Sequence, residues 1–365
     1  MRPKQSLTVL AWAIPLMVVQ YEVHAQGSGV HSASSYKYVV AERLQFFGRP
    51  YTFLPSISPE GAVAGTLSDL GKTIESAVWY QGRYTRVGAG WAVAVNDYDL
   101  VAGEISVPDK DGIPRSQAAL FNKGKVTEIA NAGGYNDSIV GGINDAGSVV
   151  GSFNYYDSSG NNKGTLGFLY QNGGVTVLGS PIPNQKASVA AAINNSGLIV
   201  GAAVFPTGRH AATYSSGQWN DLGTIGPAGS SSGATSVNNQ GWIVGTFESA
   251  DNALNGCFLY KDGKMTNLDL PNASPDDPQV QNINDQGQIV ATAPPVKDNG
   301  FGVAGYLYDN GQWTQIDTLL NPTERWSIVR TYGISNAGAI VAQGIQVNSK
   351  NIEVYNGTVL IEPVK

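Results

Sequence analysis

The sequence predicts an all-β fold, a β-propeller of seven four-stranded blades, and three observations lead to it. The 365 residues include 45 Gly and 18 Pro, a composition that indicates frequent turns. One nine-residue phrase recurs seven times, and a second phrase with a glycine turn follows each copy. The copies begin 38 to 51 residues apart, and a propeller blade takes about 40 to 50 residues.

The first repeated phrase has the form Ile-Asn-Asn-x-Gly-x-Ile-Val-Gly. Asn or Asp close to Gly, between apolar runs, predicts a tight hairpin because such a turn needs a positive φ. The β-branched pair after the turn suits a buried strand, and the small closing residue allows close packing of strands. The copies are Ile57-Ser-Pro-Glu-Gly-Ala-Val-Ala-Gly65, Val95-Asn-Asp-Tyr-Asp-Leu-Val-Ala-Gly103, Ile143-Asn-Asp-Ala-Gly-Ser-Val-Val-Gly151, Ile193-Asn-Asn-Ser-Gly-Leu-Ile-Val-Gly201, Val237-Asn-Asn-Gln-Gly-Trp-Ile-Val-Gly245, Ile283-Asn-Asp-Gln-Gly-Gln-Ile-Val-Ala291 and Ile334-Ser-Asn-Ala-Gly-Ala-Ile-Val-Ala342.

The second phrase is a strand, a turn and a strand, with a large apolar residue two positions after the glycine. It predicts the third and fourth strands of each blade. The copies are Trp79-Tyr-Gln-Gly82, Phe121-Asn-Lys-Gly124, Tyr170-Gln-Asn-Gly173, Tyr214-Ser-Ser-Gly217, Tyr260-Lys-Asp-Gly263, Tyr308-Asp-Asn-Gly311 and, one residue shorter, Tyr355-Asn-Gly357.

Four-stranded units repeated in this way expose their edges unless they are arranged radially. We therefore expect residues 51–365 to form a single propeller of seven repeats. Six blades with a terminal unit acting as a cap, or an open solenoid, are the alternatives. Residues 26–50 form a lead-in, in which Tyr38-Val-Val-Ala41 could add a strand to the last blade and latch the ring.

The N-terminus has the pattern of a secretory signal. Arg2 and Lys4 precede an apolar run, and Val23-His-Ala25 provides a signal-peptidase site, so residues 1–25 are expected to be removed. The run is too short for a membrane span, which predicts a secreted protein, extracellular or periplasmic. The lone Cys257 cannot form an internal disulfide, and its apolar neighbours favour a buried, inert thiol.

Charge and composition exclude several functions. The formal charge is −6 and only 14% of the residues are charged, which argues against nucleic acid as a partner. The scarcity of histidine argues against a metal centre, and no motif points to a cofactor. Asp97, Asp145 and Asp285 occupy a turn position, so a turn role is favoured over a pair of catalytic carboxylates. Asp109-Lys-Asp-Gly112 and Asp157-Ser-Ser-Gly160 are interpreted as ordinary turns rather than calcium loops.

The chain resembles the HAF repeat of bacterial extracellular proteins. The resemblance covers about residues 50 to 362 and rests on the seven copies in phase, among them Ile193-Asn-Asn-Ser-Gly-Leu-Ile-Val-Gly201, Arg209-His-Ala-Ala212 and Trp219-Asn-Asp-Leu-Gly-Thr-Ile-Gly226. The family is named for a His-Ala-Phe at the third strand, and His210 alone keeps the histidine here. The resemblance implies a secreted, propeller-like bacterial protein, and it implies no established chemistry.

Strand order predicts where a site would lie. In a four-stranded meander the two tight turns share one end, and the remaining connections emerge at the opposite end, where function is expected. The longer connections are residues 104–116, 152–166, 202–209, 246–256 and 292–303 within blades, and 130–138, 179–188, 223–233, 269–279 and 317–328 between blades. The ligand-binding candidates on this face are Tyr135, Tyr155, Tyr156, Phe205, Phe301, Trp326, Arg115 and Arg325.

Two main functions follow, and a third stays open. The first is a non-catalytic propeller, expected to be a monomer, that binds a polysaccharide or a surface protein through this face. The alternative is a carbohydrate-active enzyme, a polysaccharide lyase in which Arg209 and Arg330 would neutralise a carboxylate while His210 or Tyr332 removes a proton. The third is a structural matrix protein.

Overall fold

The computed structural model describes residues 37–44, 52–68, 74–109, 111–130, 137–251, 255–273 and 279–364. Within these ranges the chain forms seven antiparallel sheets of four strands each, together with two short 3-10 helices. The sheets are the blades of a propeller, so the predicted seven-bladed, all-β fold is confirmed. The expected signal peptide lies outside the described residues.

The strands follow one another along the chain, and each blade is a meander from the axis outwards. The N-terminal strand is β1 (Tyr38–Arg43). Blades 1 to 3 comprise β2 (Thr52–Ile57), β3 (Val63–Ser68), β4 (Ile74–Tyr80) and β5 (Arg83–Ala89); β6 (Trp91–Val95), β7 (Val101–Pro108), β8 (Pro114–Asn122) and β9 (Lys125–Ala130); and β10 (Asp137–Ile143), β11 (Val149–Tyr156), β12 (Asn162–Gln171) and β13 (Gly174–Val177).

The second half of the ring has the same plan. Blades 4 to 6 comprise β14 (Ser188–Ile193), β15 (Ile199–Phe205), β16 (Gly208–Ser215) and β17 (Gln218–Asp221); β18 (Ser231–Val237), β19 (Ile243–Glu248), β20 (Asn255–Lys261) and β21 (Lys264–Asn267); and β22 (Gln279–Ile283), β23 (Ile289–Ala293), β24 (Ala304–Asp309) and β25 (Gln312–Gln315). The 3-10 helices Ile316–Leu319 and Pro322–Glu324 lead into blade 7, formed by β26 (Trp326–Ile334), β27 (Ile340–Val347) and β28 (Glu353–Pro363).

The first strand of each blade lies innermost, and these strands contact one another around the ring, including β26 with β2. We call the end that carries the tight turns the turn face and the opposite end the loop face. Six of the hairpins on the turn face are two-residue turns with positive φ at both positions, as at Asn172 (51°) and Gly173 (81°). This conformation suits the right-handed twist of the flanking strands.

Blade 7 closes the ring with a strand from the other end of the chain. The segment predicted as a latch forms β1, which pairs antiparallel with β28 as the outermost strand. One sequence prediction is wrong here, because Tyr355-Asn-Gly357 forms no turn and lies inside the eleven-residue strand β28. In this blade Ile361 pairs with Ile340. Ile361 therefore stands where the other blades have the aromatic residue of the second phrase. With β1 supplying the fourth strand, no hairpin is needed.

Every innermost strand contains a β-bulge, near its middle or towards the turn face. In blade 3, for example, the register shifts between Val140 and Gly142. The bulge explains the glycine that closes the first phrase: a Cβ at Gly151 would lie 2.0 Å from the carbonyl oxygen of Ile139 and 2.7 Å from the Phe168 ring. The close approach therefore lies within one blade rather than between neighbouring blades.

The Asn of the first phrase joins one blade to the next. In blade 4 the Oδ1 of Asn194 accepts hydrogen bonds from the amides of Ser196 and Leu198, which holds the turn. Its Nδ2 donates to the carbonyl oxygen of Asn238 in blade 5 at 2.9 Å. The same bond from each Asn to the next blade is made by Asn96, Asn144, Asn238 and Asn284.

The next residue of the phrase forms a second ring of hydrogen bonds on the turn face. The amide of each residue donates to the side-chain oxygen of its counterpart in the following blade, as Asp145 does to Asn195 at 2.9 Å. Asn336 closes the ring through Pro59, and Glu60 donates to Asp97. The turn role predicted for Asp97, Asp145 and Asp285 is confirmed, with a contact between blades added.

The connections between the second and third strands are shorter than the sequence analysis expected. Residues 104–116, 152–166 and 202–209 are mostly strand, because β7, β11 and β15 continue to the rim of the loop face. Asp109 and Asp157 sit in the tight turns there, and each accepts hydrogen bonds from amides two and four residues onward. Residues 294–303 remain a loop, and residues 249–251 of the connection 246–256 also lie outside the strands.

Cys257 lies on β20 and is fully buried, and burial raises the pKa of its thiol to about 12. Since the thiolate is the reactive form, we expect no alkylation of the native protein by iodoacetamide at pH 8 and complete alkylation in denaturant, measured by intact mass. Cys257→Ser serves as the blank. Rapid modification of the native protein would show that blade 5 opens at this strand.

Candidate functional site

Six innermost strands carry a residue at the same register, one position before the bulge begins. Each of these residues pairs with the one that follows the closing small residue of the first phrase, as Ile139 pairs with Ser152 and Gln279 with Thr292. Phe53 holds the corresponding place in blade 1. We call the six residues the axial collar: Trp91, Ile139, Val189, Gly233, Gln279 and Arg330.

The collar faces solvent, whereas the residues that follow it in sequence are buried. Trp91 and Ile139 are each 37% exposed, and Arg330 is also exposed. Residues that alternate along a strand point to opposite sides, so the collar side chains leave the innermost strands on the side opposite these buried residues, in the loop-face half of the ring. Because the innermost strands lie close together here, residues of several blades can contact one ligand.

An axial cavity of about 250 Å³ lies deeper, towards the turn face, and all seven blades line it. The residues skipped by the bulges form part of its wall. Val93, Gly141 and Ala191 make one side small and apolar. Thr235, Gln281 and Tyr332, from blades 5 to 7, make the other side polar.

Blades 6 and 7 share a network of polar side chains that joins the collar to the cavity. The Arg330 Nη2 donates to the Gln279 Oε1 at 3.2 Å, and the Thr331 Oγ1 donates to the Gln281 Oε1 at 2.9 Å. Burial raises the pKa of Tyr332, and the neighbouring Arg330 charge opposes that rise. The side chains around Arg330 are therefore held in place before any ligand arrives.

Arg209 reaches the same level from blade 4. It lies on β16, and its Nη1 is 3.4 Å from the point where a Cβ of Gly233 would stand. A larger side chain at 233 would occupy the space of this guanidinium. Within the described residues, neither Arg209 nor Arg330 forms an ion pair. Gly233 with Arg209, Gln279 and Arg330 form what we call the polar arc.

The other half of the collar is the apolar arc, formed by Trp91, Ile139 and Val189 of blades 2 to 4. In a ring of seven, the blades opposite blade 2 are blades 5 and 6. The strand that carries Trp91 thus lies across the ring from the strands that carry Gly233 and Gln279. A flat aromatic surface facing hydrogen-bond donors is an arrangement suited to an amphipathic ring such as a sugar.

The structure does not bring the four lyase candidates together. Arg209, Arg330 and Tyr332 belong to the axial region, but His210 is buried within blade 4. Its Nδ1 lies 2.9 Å from the Asp221 Oδ1, and its ring stacks on Phe205 at 6.2 Å between centroids. Because His210 is adjacent to Arg209 on one strand, the two side chains point to opposite sides.

Trp326 is not available to a ligand. It is 7% exposed and packs edge-on against Tyr355 at 5.6 Å, with the Arg43 guanidinium 5.4 Å from its ring. Arg325 donates to Asn351 at the outer part of the same blade. Phe301 is 40% exposed in the 294–303 loop, and Tyr135 lies outside the described residues.

Three further candidates lie at the rim of the loop face and contact neighbouring segments. Arg115 forms an ion pair with Asp109 at 3.1 Å and lies 5.6 Å from the ring of Tyr156 in the next blade. The Lys186 Nζ lies 3.7 Å from the Tyr155 ring. Burial raises the pKa of both tyrosines. These side chains hold blades 2 to 4 together at the rim.

Sequence reasoning missed Trp91, Ile139, Gln279 and Gln281. A signal was present, because the residue four positions before each first phrase opens varies among Trp, Ile, Val, Gly, Gln and Arg while the phrase itself hardly changes. Since the strand that ends in the phrase is innermost, a variable column on it marks the axis.

The described residues lack two further features. No group of three or more His, Cys, Asp or Glu side chains there could hold a metal ion. In the same part of the chain, no helix has the length and apolar character required to cross a membrane.

Neither a family model nor a curated protein matches the chain. The β-propeller domain of the Trilobed protease from Pyrococcus furiosus is 13% identical, with 73% of this chain and 83% of that chain covered and a TM-score of 0.48. Acylaminoacyl peptidase of Pyrococcus horikoshii is 14% identical, with 82% and 50% covered and a TM-score of 0.50. TolB from Acinetobacter baumannii is 11% identical, with 83% and 80% covered and a TM-score of 0.45. At these identities the similarity concerns the fold, and this chain spans half the length of that peptidase.

Proposed function

We propose that this protein is a secreted, monomeric binding propeller that takes a polysaccharide at the axial collar of its loop face. The observation that carries the proposal is the collar itself. Six blades deliver six different residues at one register, five of them with a side chain, and the blade of the exposed Trp91 lies across the ring from blades that carry hydrogen-bond donors. A rigid ring that presents varied residues at one level is typical of a binding site placed on a repeated scaffold.

The collar favours a sugar chain over a flat protein surface. Its apolar and polar residues lie at one level of the ring, above the axial cavity, and a concave site with an apolar wall and a few fixed polar groups is typical of small ligands and chain ends. Stacking on an indole and hydrogen bonding to Gln279 would use the apolar face and the hydroxyl edge of a sugar ring.

Trp91→Ala tests this proposal. Loss of the stacking surface is expected to weaken binding about tenfold or more to the polysaccharides that the protein retains, measured by affinity electrophoresis and calorimetry against a panel of neutral and acidic polymers. Tyr98→Ala is the matched control, because Tyr98 is 74% exposed on the turn face. Equal binding by the two variants, or no binding by the wild type, would refute the collar as the site.

A further inference from the structure

We propose that the polar arc is a carboxylate site, so that the propeller recognises a uronic acid residue of an acidic polysaccharide with its sugar ring against Trp91. This rests on the proposed function and names the ligand class of the same site. Arg209, Gln279 and Arg330 would hold the carboxylate, and the amphipathic ring would span the axis between the two arcs.

The charges on the arc carry the first step of the argument. The protein is acidic overall, yet two exposed guanidiniums reach the collar without a carboxylate partner among the described residues. Arg115, by comparison, is paired with Asp109. A guanidinium presents its donors in a planar fork that matches a carboxylate. An external anion would supply the partner that the described residues do not.

The fixed geometry of the arc carries the second step. Arg330 donates one hydrogen bond to the Oε1 of Gln279. That oxygen also lies 3.5 Å from the Nε2 of Gln281. Thr331, buried beside Arg330, is bonded to Gln281 and to Thr292. The guanidinium is thus oriented by a neutral amide, and no carboxylate among the described residues pairs with its charge. Its other N–H groups are available as donors to a ligand.

Gly233 carries the third step. Of the six collar positions, this one lacks a side chain, and the guanidinium of Arg209 occupies the space above it. Arg209 of blade 4 therefore takes the collar place of blade 5, next to those of Gln279 and Arg330 in blades 6 and 7. In the proposed site, these two guanidiniums and the amide between them would together hold one anion.

The experiment compares polygalacturonate with the same polymer after its carboxyl groups have been reduced to alcohols, so that linkage and chain length are matched. Binding is measured by calorimetry for the wild type, Arg330→Gln, Arg209→Gln and Arg325→Gln. Arg325 is the control because it is an exposed arginine of the same blade that is bonded to Asn351. Melting curves establish that each variant is folded, and dextran sulfate tests an anion of different geometry.

We expect Arg330→Gln and Arg209→Gln each to weaken binding of polygalacturonate about tenfold or more, with binding of the reduced polymer and the behaviour of Arg325→Gln unchanged. Equal affinity of the wild type for both polymers would overturn the carboxylate site and leave the proposed function standing. An equal loss in Arg325→Gln, or tight binding of dextran sulfate with the same arginine dependence, would also overturn it. Binding of no polymer in the panel would overturn both proposals.

Discussion

A chain that lacks residues 1–44 is expected to lose at least about 5 kcal/mol of unfolding free energy, because the ring then has no closing strand. The deletion removes the pairing of β1 with β28 and the buried side chains of Tyr38 and Leu44. It also removes Arg43, which lies over the rings of Trp326 and Tyr355. The outer edge of blade 7 would be left unpaired, which favours aggregation.

The matched control is deletion of residues 1–35, which keeps β1 intact. Urea unfolding and size-exclusion chromatography of the two truncated proteins measure the difference. Equal stability of the two would contradict the role of β1 in closure.

Asn194→Ala is expected to destabilise the protein by roughly 3 kcal/mol, since one substitution leaves a buried carbonyl oxygen and two part-buried amides without a partner. The carbonyl oxygen of Asn238 loses its donor from the neighbouring blade. The amides of Ser196 and Leu198 lose their acceptor. Chemical unfolding measures the loss, and Asn161→Ala in an exposed hairpin is expected to stay within about 0.5 kcal/mol of the wild type.

Asn194→Ser separates the two roles of this side chain. Serine stands at the same place in blades 1 and 7, where Ser58 and Ser335 accept from the amides of Ala62 and Ala339. The serine variant should therefore keep the turn and lose only the bond between blades, at a cost of about 1 kcal/mol. If serine were as damaging as alanine, the turn contribution assigned to Asn194 would be wrong.

The turns of this fold could be predicted because their chemistry is local. Asp99 stands where the other copies have glycine and adopts φ 60°, as an Asp in a tight turn is able to do. The number of blades and the shared face of the connections then followed from counting the strands between turns.

The last blade could not be predicted in detail, because its strands are determined by a distant part of the chain. Tyr355-Asn-Gly357 has the letters of a turn, but β1 already occupies the edge that a fourth strand from this hairpin would take. Trp326 was misassigned for a similar reason. It begins an innermost strand, and only the packing of Tyr355 and Arg43 from β28 and β1 shows that it is covered.

The candidate site was predicted in part. Arg209 and Arg330 were selected for their charge, and both lie at the level of the collar. His210 was selected as a group able to accept a proton, but alternation along the strand points its side chain away from that of Arg209. The collar residues Trp91 and Gln279 carry no motif, and only the knowledge of which strand is innermost reveals them.

The two rings of hydrogen bonds on the turn face have a consequence for how the sequence of such a protein can evolve. The bonds of both rings run from the phrase of one copy to the phrase of the next, so a mutation in the phrase perturbs two blades at once. On the loop face the contacts between blades differ from one pair of blades to the next, as Arg115 with Tyr156 and Arg330 with Gln279 show. Duplication and drift can therefore change the ligand that the loop face binds, while the hydrogen bonds that join the blades on the turn face stay the same.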